Sequence, residues 1–303
     1  MTSGRFAGRV GVIGTGAMGG AVVARLVGLG IPTVARDIRP AAQDAAVRLG
    51  ATAAASPSEV ARACDILIVL VVDAAEVETV LFGPDGAAAS LAPEAVVVAS
   101  STVDPAHPAA WAPRIAAFGA ALLDAPVSGG PAKAAAGTMT MMVSGDDAAL
   151  ARVRSILDLI TGRLFALGPR AGDASAFKIV NNLLAAANLA AAAEALALAR
   201  AAGLDPAVAA DVIGASSGAS WIFADRVQRA LAGDFAPRAA AKILAKDIGI
   251  AVALARRLGV DATFAEAAQA ALAEAVAGGD GDADDAMLLR RALQKLNPAT
   301  RAE

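Results

Sequence analysis

A chain of 303 residues with a formal net charge of −3 has room for two domains and no basic field to draw in nucleic acid or an anionic membrane. Its hydrophobic share of 57% is swollen by alanine, a weak hydrophobe and the best helix former, so it does not signal a membrane protein. The single cysteine, Cys64, has no partner for an internal disulfide, which makes a reduced, cytoplasmic setting the default expectation.

From the N-terminus, short apolar runs alternate with helical patterns. Strands are predicted at 10–13, 33–36, 66–72, 95–99, 121–125, 139–143 and 164–167. Helices are predicted between them at 17–30, 40–49, 56–63, 75–82, 105–118 and 146–160. Strands rich in valine and isoleucine, each followed by a helix, indicate βαβ units on a mostly parallel, doubly wound sheet. Arg5 and Arg9 ahead of an apolar stretch imitate a signal peptide, but the glycines of that stretch have a better use.

The breaker cluster "LGPRAG" (167–172) ends the alternation. Beyond it no strand is predicted, only helices at 174–202, 206–214, 220–232, 237–258, 262–277 and 285–296. The expected organisation is a Rossmann-type domain over 1–171 and an all-helical substrate and dimerisation domain over 172–303. The long alanine-rich helix joining them is expected to be buried. Its most lipid-like run, 183–199, is interrupted by Asn188 and Glu194, whereas a membrane span wants roughly 20 strongly apolar residues. "GGDGDADD" (278–285) fails as a calcium loop, because Asp285 and Arg291 stand where glycine and glutamate are needed. Its acids are expected to cap the last helix. No histidine, cysteine or carboxylate cluster has metal-ligand spacing, so no metal is expected.

"VGVIGTGAMGG" (10–20) contains Gly14-Thr15-Gly16-Ala17-Met18-Gly19, a G-x-G-x-x-G between a strand and a helix. Gly14 permits the tight turn, Gly16 lets backbone approach a pyrophosphate, and Gly19 lets helix and strand pack closely. The helix N-terminus, opening at Ala17 and Met18, offers N–H groups to the phosphates. Asp37 ends the next strand and can accept hydrogen bonds from both ribose hydroxyls. Its charge would repel a 2′-phosphate, favouring NAD over NADP, while Arg36 and Arg39 beside it soften that preference. A glycine-rich turn without a ligand is the competing reading.

With this cradle, three further segments resemble the β-hydroxyacid dehydrogenase family, which includes 3-hydroxyisobutyrate, tartronate semialdehyde and threonate dehydrogenases. "DAPVSGGPAKAAAGTM" (124–139) resembles its substrate-binding signature, "GDASAFKIVNN" (172–182) its catalytic segment, and "KDIGIA" (246–251) its late lysine–aspartate motif. "VVDAAEVETVLFG" (71–83) and "SSGASWIFADR" (216–226) resemble the threonate dehydrogenase-like branch. The resemblance implies that Ser128, Gly129 and Gly130 hold the substrate's carboxylate and hydroxyl, and that Lys178 is the general acid/base. Asn182 would fix the substrate, with Asn181 able to share or take that role. Thr102 would lie by the nicotinamide ribose, and Val72, at the end of a strand, would approach the cofactor through its backbone. Lys246 and Asp247 would close over the nicotinamide from the second domain. Two departures caution against carrying over one member's substrate: Ala174 stands where a second glycine is usual, and Ala239 where an aromatic is common.

The inventory of proton carriers points the same way as the resemblance. The chain has no tyrosine, one histidine (His107, at a predicted helix start) and five lysines. Lys178 is the lysine placed at the expected domain junction among apolar neighbours, where burial would favour its neutral form. Lys133 after the glycine turn is either a substrate contact or a solvated lysine. Trp111 and Trp221 are read as packing residues, Trp221 lying where the helical domain would wall the pocket. The expected activity is an NAD-dependent, reversible oxidation of a small hydroxy acid by a homodimer or homotetramer, with 3-hydroxyisobutyrate, threonate, glycerate and serine all open. The rivals are an NADP-dependent semialdehyde reductase or imine reductase of similar fold, and a nucleotide-binding sensor without chemistry.

Overall fold

A computed structural model describes residues 8–295, which fall into two compact units, Met1–Lys178 and Ile179–Glu303. The first unit runs β1 (Val10–Ile13), α1 (Ala17–Gly28), β2 (Thr33–Arg36), α2 (Pro40–Arg48), β3 (Thr52–Ala53), α3 (Pro57–Arg62), β4 (Ile66–Val69) and α4 (Ala74–Phe82). It continues through β5 (Val96–Ala99), α5 (Ala106–Ala116), β6 (Ala121–Asp124), β7 (Val127–Ser128), α6 (Gly130–Ala136), β8 (Met139–Gly145), α7 (Asp147–Ile160) and β9 (Thr161–Ala166). It ends in the first turns of α8 (Asp173–Ala201).

The strand order is β3-β2-β1-β4-β5-β6-β8-β7, with β9 also on β8. The strands from β3 to β6 are parallel, and β8 returns antiparallel to β6. Side-chain alternation divides each apolar run between two cores. Val10, Val12, Ile66, Ile68, Val96 and Val98 pack with Val22 and Leu26 of α1 and Ile156 and Leu157 of α7. Ile13, Leu67, Val69, Val97 and Ala99 pack on the opposite face with Val60, Val77, Leu81, Trp111 and Ile115. Each such fully buried side chain stabilises by about 1.5–3 kcal/mol.

The turns explain where elements start and stop. Ser56, Asp73 and Asp146 N-cap α3, α4 and α7 through Glu59, Glu76 and Ala149 N–H. The strand predicted to reach residue 72 stops at Val69, because the Val72 N–H turns to Glu76 Oε2 at 2.8 Å instead of a ladder. Strands β3 and β7 and helix α6 were not predicted; they are too short to show a period.

The second unit comprises the rest of α8 with α9 (Pro206–Gly214), α10 (Trp221–Leu231), α11 (Ala241–Arg257), α12 (Thr263–Ala275) and α13 (Met287–Gln294). Its core gathers Ile179, Leu189, Leu196, Phe223, Val227, Ile248, Val252, Leu272 and Met287. Helix α8 is long and apolar enough to cross a membrane by length and composition alone, a test that the core helix of a globular protein also passes. It is buried along one face only, where Ile179, Ala186, Leu189 and Leu196 enter that core. The other face leaves Val180, Leu184 and Leu198 exposed, so the expected full burial does not hold.

The helix predicted to start at 237 starts at Ala241 because the backbone of residues 239–242 pairs with 281–285. Fully buried Asp284 accepts from Arg238 N–H at 2.8 Å, Ala239 N–H at 3.1 Å and Ala286 N–H at 3.2 Å, and pairs with Arg229. Asp285 pairs with Arg226, Asp280 with Arg290 and Arg291, and Asp282 with Lys242. The acids expected to cap the last helix therefore mainly join the 238–241 segment and the arginines; only Ala286 N–H reflects the expected capping. No group of three potential metal ligands occurs among the described residues. The predicted end of the last helix at 296 lies outside the described residues, as does Arg5. Removing one partner of a buried, bonded ion pair strands the other, so Asp284→Ala is expected to lower unfolding free energy by about 3–5 kcal/mol, measured by urea denaturation.

Candidate active site

Strand β1 ends in the glycine loop. Gly14 has φ +88°, and its N–H donates to Arg36 C=O at 2.9 Å. A Cβ on Gly14 would lie 2.6 Å from Leu70 C=O, and one on Gly19 only 1.8 Å from Gly14 C=O. Both glycines are required by contact. Gly16 caps α1 with no side-chain hydrogen bond to the first turn, and Ala17 and Met18 open the helix. Ala17 is exposed, whereas Met18 turns its side chain to the sheet core, leaving its backbone at the helix start. A side chain on Gly19 is barred, the helix start lacks a side-chain cap, and an acid stands at the end of β2: these features fit a dinucleotide's pyrophosphate and ribose.

Asp37 is 4% exposed and already bonded. Its carboxylate accepts from Thr15 N–H at 2.7 Å, Arg39 N–H at 2.9 Å, and the Arg39 guanidinium at 3.1 Å on each oxygen. Burial pushes its pKa up, but the Arg39 fork and the two backbone donors outweigh it and hold the carboxyl below its ordinary range.

The ends of β4 and β5 lie beside this loop, joined through Leu70 N–H to Ile13 C=O and Ser100 N–H to Val69 C=O. Val72 is three residues past β4 rather than at its end, and Glu76 holds its N–H. Thr102 follows β5 as expected, half-buried, next to Ser101, whose hydroxyl donates to Val71 C=O at 2.7 Å. Ser100 was missed by sequence reasoning. Its buried hydroxyl has no partner among the described residues, at the strand edge where such sheets take ligands.

Ser128 closes β7, and Gly129 and Gly130 follow with φ +124° and +75°. A Cβ on Gly129 would meet Lys133 Cδ at 2.8 Å, so the Lys133 stem lies across the turn. Four residues before Ser128, Asp124 ends β6 fully buried. It accepts from Gly172 N–H at 3.0 Å, Ser175 N–H at 2.8 Å and Ser175 Oγ at 2.7 Å, and Ser144 Oγ lies at 3.4 Å. Ser144 Oγ in turn accepts from Ala174 N–H at 3.0 Å. Burial raises the Asp124 pKa above the ordinary carboxyl value, although each of these donors pulls it down. Asp124 thus anchors the first turn of α8, and Lys178, 8% exposed, comes one turn later. Its anchoring role was not foreseen; an aspartate ending an apolar strand with no basic neighbour was the available signal.

In the second unit, buried Asn182 donates through Nδ2 to Asp247 Oδ2 at 2.7 Å, and Lys246 Nζ reaches Asp247 Oδ1 at 2.6 Å. A carboxylate only accepts, so this bond fixes which way the amide points. Asn181 is exposed and donates to Asn182 Oδ1 at 3.0 Å. Asp247 is therefore engaged with Asn182 and Lys246. Lys178 and Asn182, four apart on α8, share a helix face. His107 is exposed, stacked on Trp111 at 5.5 Å. Trp111 is a packing residue, 2% exposed, with Nε1 on Glu78 at 2.7 Å, whereas Trp221 is 55% exposed.

A doubly wound sheet with a glycine cradle at the end of β1, joined to an all-helical unit, defines an NAD-binding dehydrogenase. Residues 9–168 match the NAD-binding domain of 6-phosphogluconate dehydrogenase, and 172–292 the NAD-binding domain of NADP-dependent 3-hydroxyisobutyrate dehydrogenase. The chain is 42% identical over 281 residues to L-threonate dehydrogenase of Cupriavidus necator, covering 93% of this chain and 95% of that one. It is 34% identical over 250 residues to NAD-dependent L-serine dehydrogenase of Pseudomonas aeruginosa, covering 80% and 84%. The crystal structure of 3-hydroxyisobutyrate dehydrogenase from Salmonella typhimurium superposes with TM-score 0.86 at 38% identity, covering 93% and 99%. The chain belongs to the NAD-binding hydroxyacid dehydrogenase family and is an oxidoreductase acting on a hydroxyl group.

Asp124→Ala would leave the Gly172 and Ser175 donors without an acceptor in a dry site. It is expected to cost about 3 kcal/mol of stability in urea denaturation, with Asp124→Asn, which keeps one acceptor oxygen, costing less.

Proposed function

We propose that the chain oxidises a short polyhydroxy acid of the four-carbon sugar-acid class, with Lys178 as the proton-transferring group. The observation that carries this reading is the buried Lys178 on α8, one turn beyond a helix start pinned to Asp124. The likeness to L-threonate dehydrogenase favours the sugar-acid class. Gly14, Gly16, Gly19 and the first N–H groups of α1 hold the pyrophosphate, Asp37 faces the adenosine ribose, and Val72 and Thr102 border the nicotinamide half. Bound NAD supplies a hydride acceptor.

Ser128 and the N–H groups at Gly129 and Gly130 hold the acid's carboxylate and hydroxyl, a donor-rich turn suited to an anion. Lys178 Nζ, unprotonated, takes the hydroxyl proton as the substrate's carbon gives up its hydride and the carbonyl forms; in reverse the ammonium returns that proton. Asn182 orients the substrate. Asp247 and Lys246 fix the Asn182 amide.

We further infer a homo-oligomer through α8. Leu184, Ala191 and Leu198 recur every seven residues on its exposed face, flanked by Val180 and continued by exposed Leu204, Val208 and Val212. Apolar side chains at that spacing suit a second copy of the same helix. We also place the chain in the cytoplasm. Its lone Cys64 is buried, with its thiol pushed up to about 12 by burial, and offers no disulfide chemistry.

A screen of short hydroxy acids with NAD, followed by NADH absorbance, is expected to rank L-threonate among the best substrates. Lys178→Ala is expected to lower kcat by about 10²–10⁴-fold with NADH binding retained; near-normal turnover would remove Lys178 from the mechanism. Leu184→Glu is expected to give a monomer in light scattering at a concentration where the parent is oligomeric.

A further inference from the structure

We propose that Arg39 narrows the cofactor preference of this chain: latched on Asp37, it admits the 2′-phosphorylated dinucleotide alongside NAD. The proposal deepens the cofactor assignment and rests on the dinucleotide-binding reading above.

A carboxylate has about four acceptor positions. At Asp37 they are taken by Thr15 N–H at 2.7 Å, Arg39 N–H at 2.9 Å, and the two bonds of the guanidinium fork, both 3.1 Å, with the Thr15 hydroxyl also at 3.4 Å. Ribose hydroxyls must therefore displace the fork to reach the acid. The fork can yield, because the Arg39 side chain is 64% exposed and exposed pairs are weak. A Cβ on Gly16 would lie 3.0 Å from Arg39 Nη2, so the guanidinium stands at the rim of the glycine loop, beside the start of α1.

Two consequences follow. The negative charge that would repel a 2′-phosphate is compensated on the spot. A planar cation with several donors also stands where that phosphate arrives, and guanidinium matches phosphate oxygens in pairs. Arg36 is not the determinant: its guanidinium turns to Asp37 C=O and Gln43 Oε1. Glu76 also acts on the Arg39 guanidinium, but its carboxylate is committed to Val72 N–H. With two acids near one arginine, NAD stays favoured, and Arg39 narrows the gap.

The test is equilibrium titration of the full chain with NADH and NADPH, read by nucleotide fluorescence or calorimetry. Wild type, Arg39→Ala and Arg36→Ala are compared. Wild-type chain is expected to bind both nucleotides. Arg39→Ala is expected to weaken NADPH by about tenfold or more, the worth of a charge-assisted pair, and to leave NADH equal or tighter. Arg36→Ala should leave the ratio unchanged. An Arg39→Ala ratio equal to wild type, in a chain that still binds NADH, overturns the inference while the dehydrogenase reading stands. A wild-type chain that binds neither nucleotide overturns both.

Discussion

The carboxylate of Asp124 is the constraint from which helix α8 takes its position. It is fully buried, so its lone pairs must be met by fixed donors or the site is strongly destabilised. Those donors come from Gly172 and Ser175, with Ser144 adjacent. An acid at a helix start also complements the partial positive charge of the leading N–H groups. The end of β6, the end of β8 and the first turn of α8 are thereby held at one point. Lys178 inherits its position from a sheet rather than from a loop. The proton-transferring role proposed for Lys178 gains from that rigidity.

The cofactor cradle works by close approach. Gly19 packs so near Gly14 C=O that no side chain fits, and this draws α1 against the end of β1. The helix start then directs its N–H groups toward the loop without a side-chain cap in the way. Asp37 belongs to the same construction, since its carboxylate braces the loop through Thr15 N–H before any ribose arrives. One aspartate thus holds the loop and stands where the ribose is proposed to bind. Arg39 lies where those roles meet.

Much of this could be read from residue order. The parallel strands announced themselves as apolar runs, and their two-residue alternation supplied both cores. The glycine spacing and Asp37 named the cradle, and the signature around Ser128 and Lys178 pointed to the family. What escaped was fixed by partners distant in sequence. Asp124 was visible only as the first letter of a motif, because its donors lie 48 and 51 residues away. The acids at 280–285 looked like a helix cap, yet Asp284 reaches back 45 and 46 residues to hold a segment that would otherwise continue as helix. Val72 left its strand because Glu76, one turn into the next helix, offered its N–H a better partner. Sequence periodicity reports which side chains are apolar and how they repeat; it does not report where a buried polar group finds its complement.

The basic residues divide by chemistry in a way that singles out one of them. The chain has 21 arginines and five lysines. Arginines make the buried and bidentate pairs, at Asp37, Asp284 and Asp285. A guanidinium stays charged under any protein condition, which suits a fixed pair and disqualifies it from carrying protons. Among the described residues Lys242 pairs with Asp282, Lys246 with Asp247 and Lys295 with Glu274. Lys133 lies over Gly129. His107 stands exposed on the face of Trp111, and the chain has no tyrosine. A hydroxyl that loses a hydride must also lose a proton to something that can bind and release it. Lys178 is the buried lysine among the described residues, on a helix whose start is bonded to the sheet, and it has the chemistry the arginines lack.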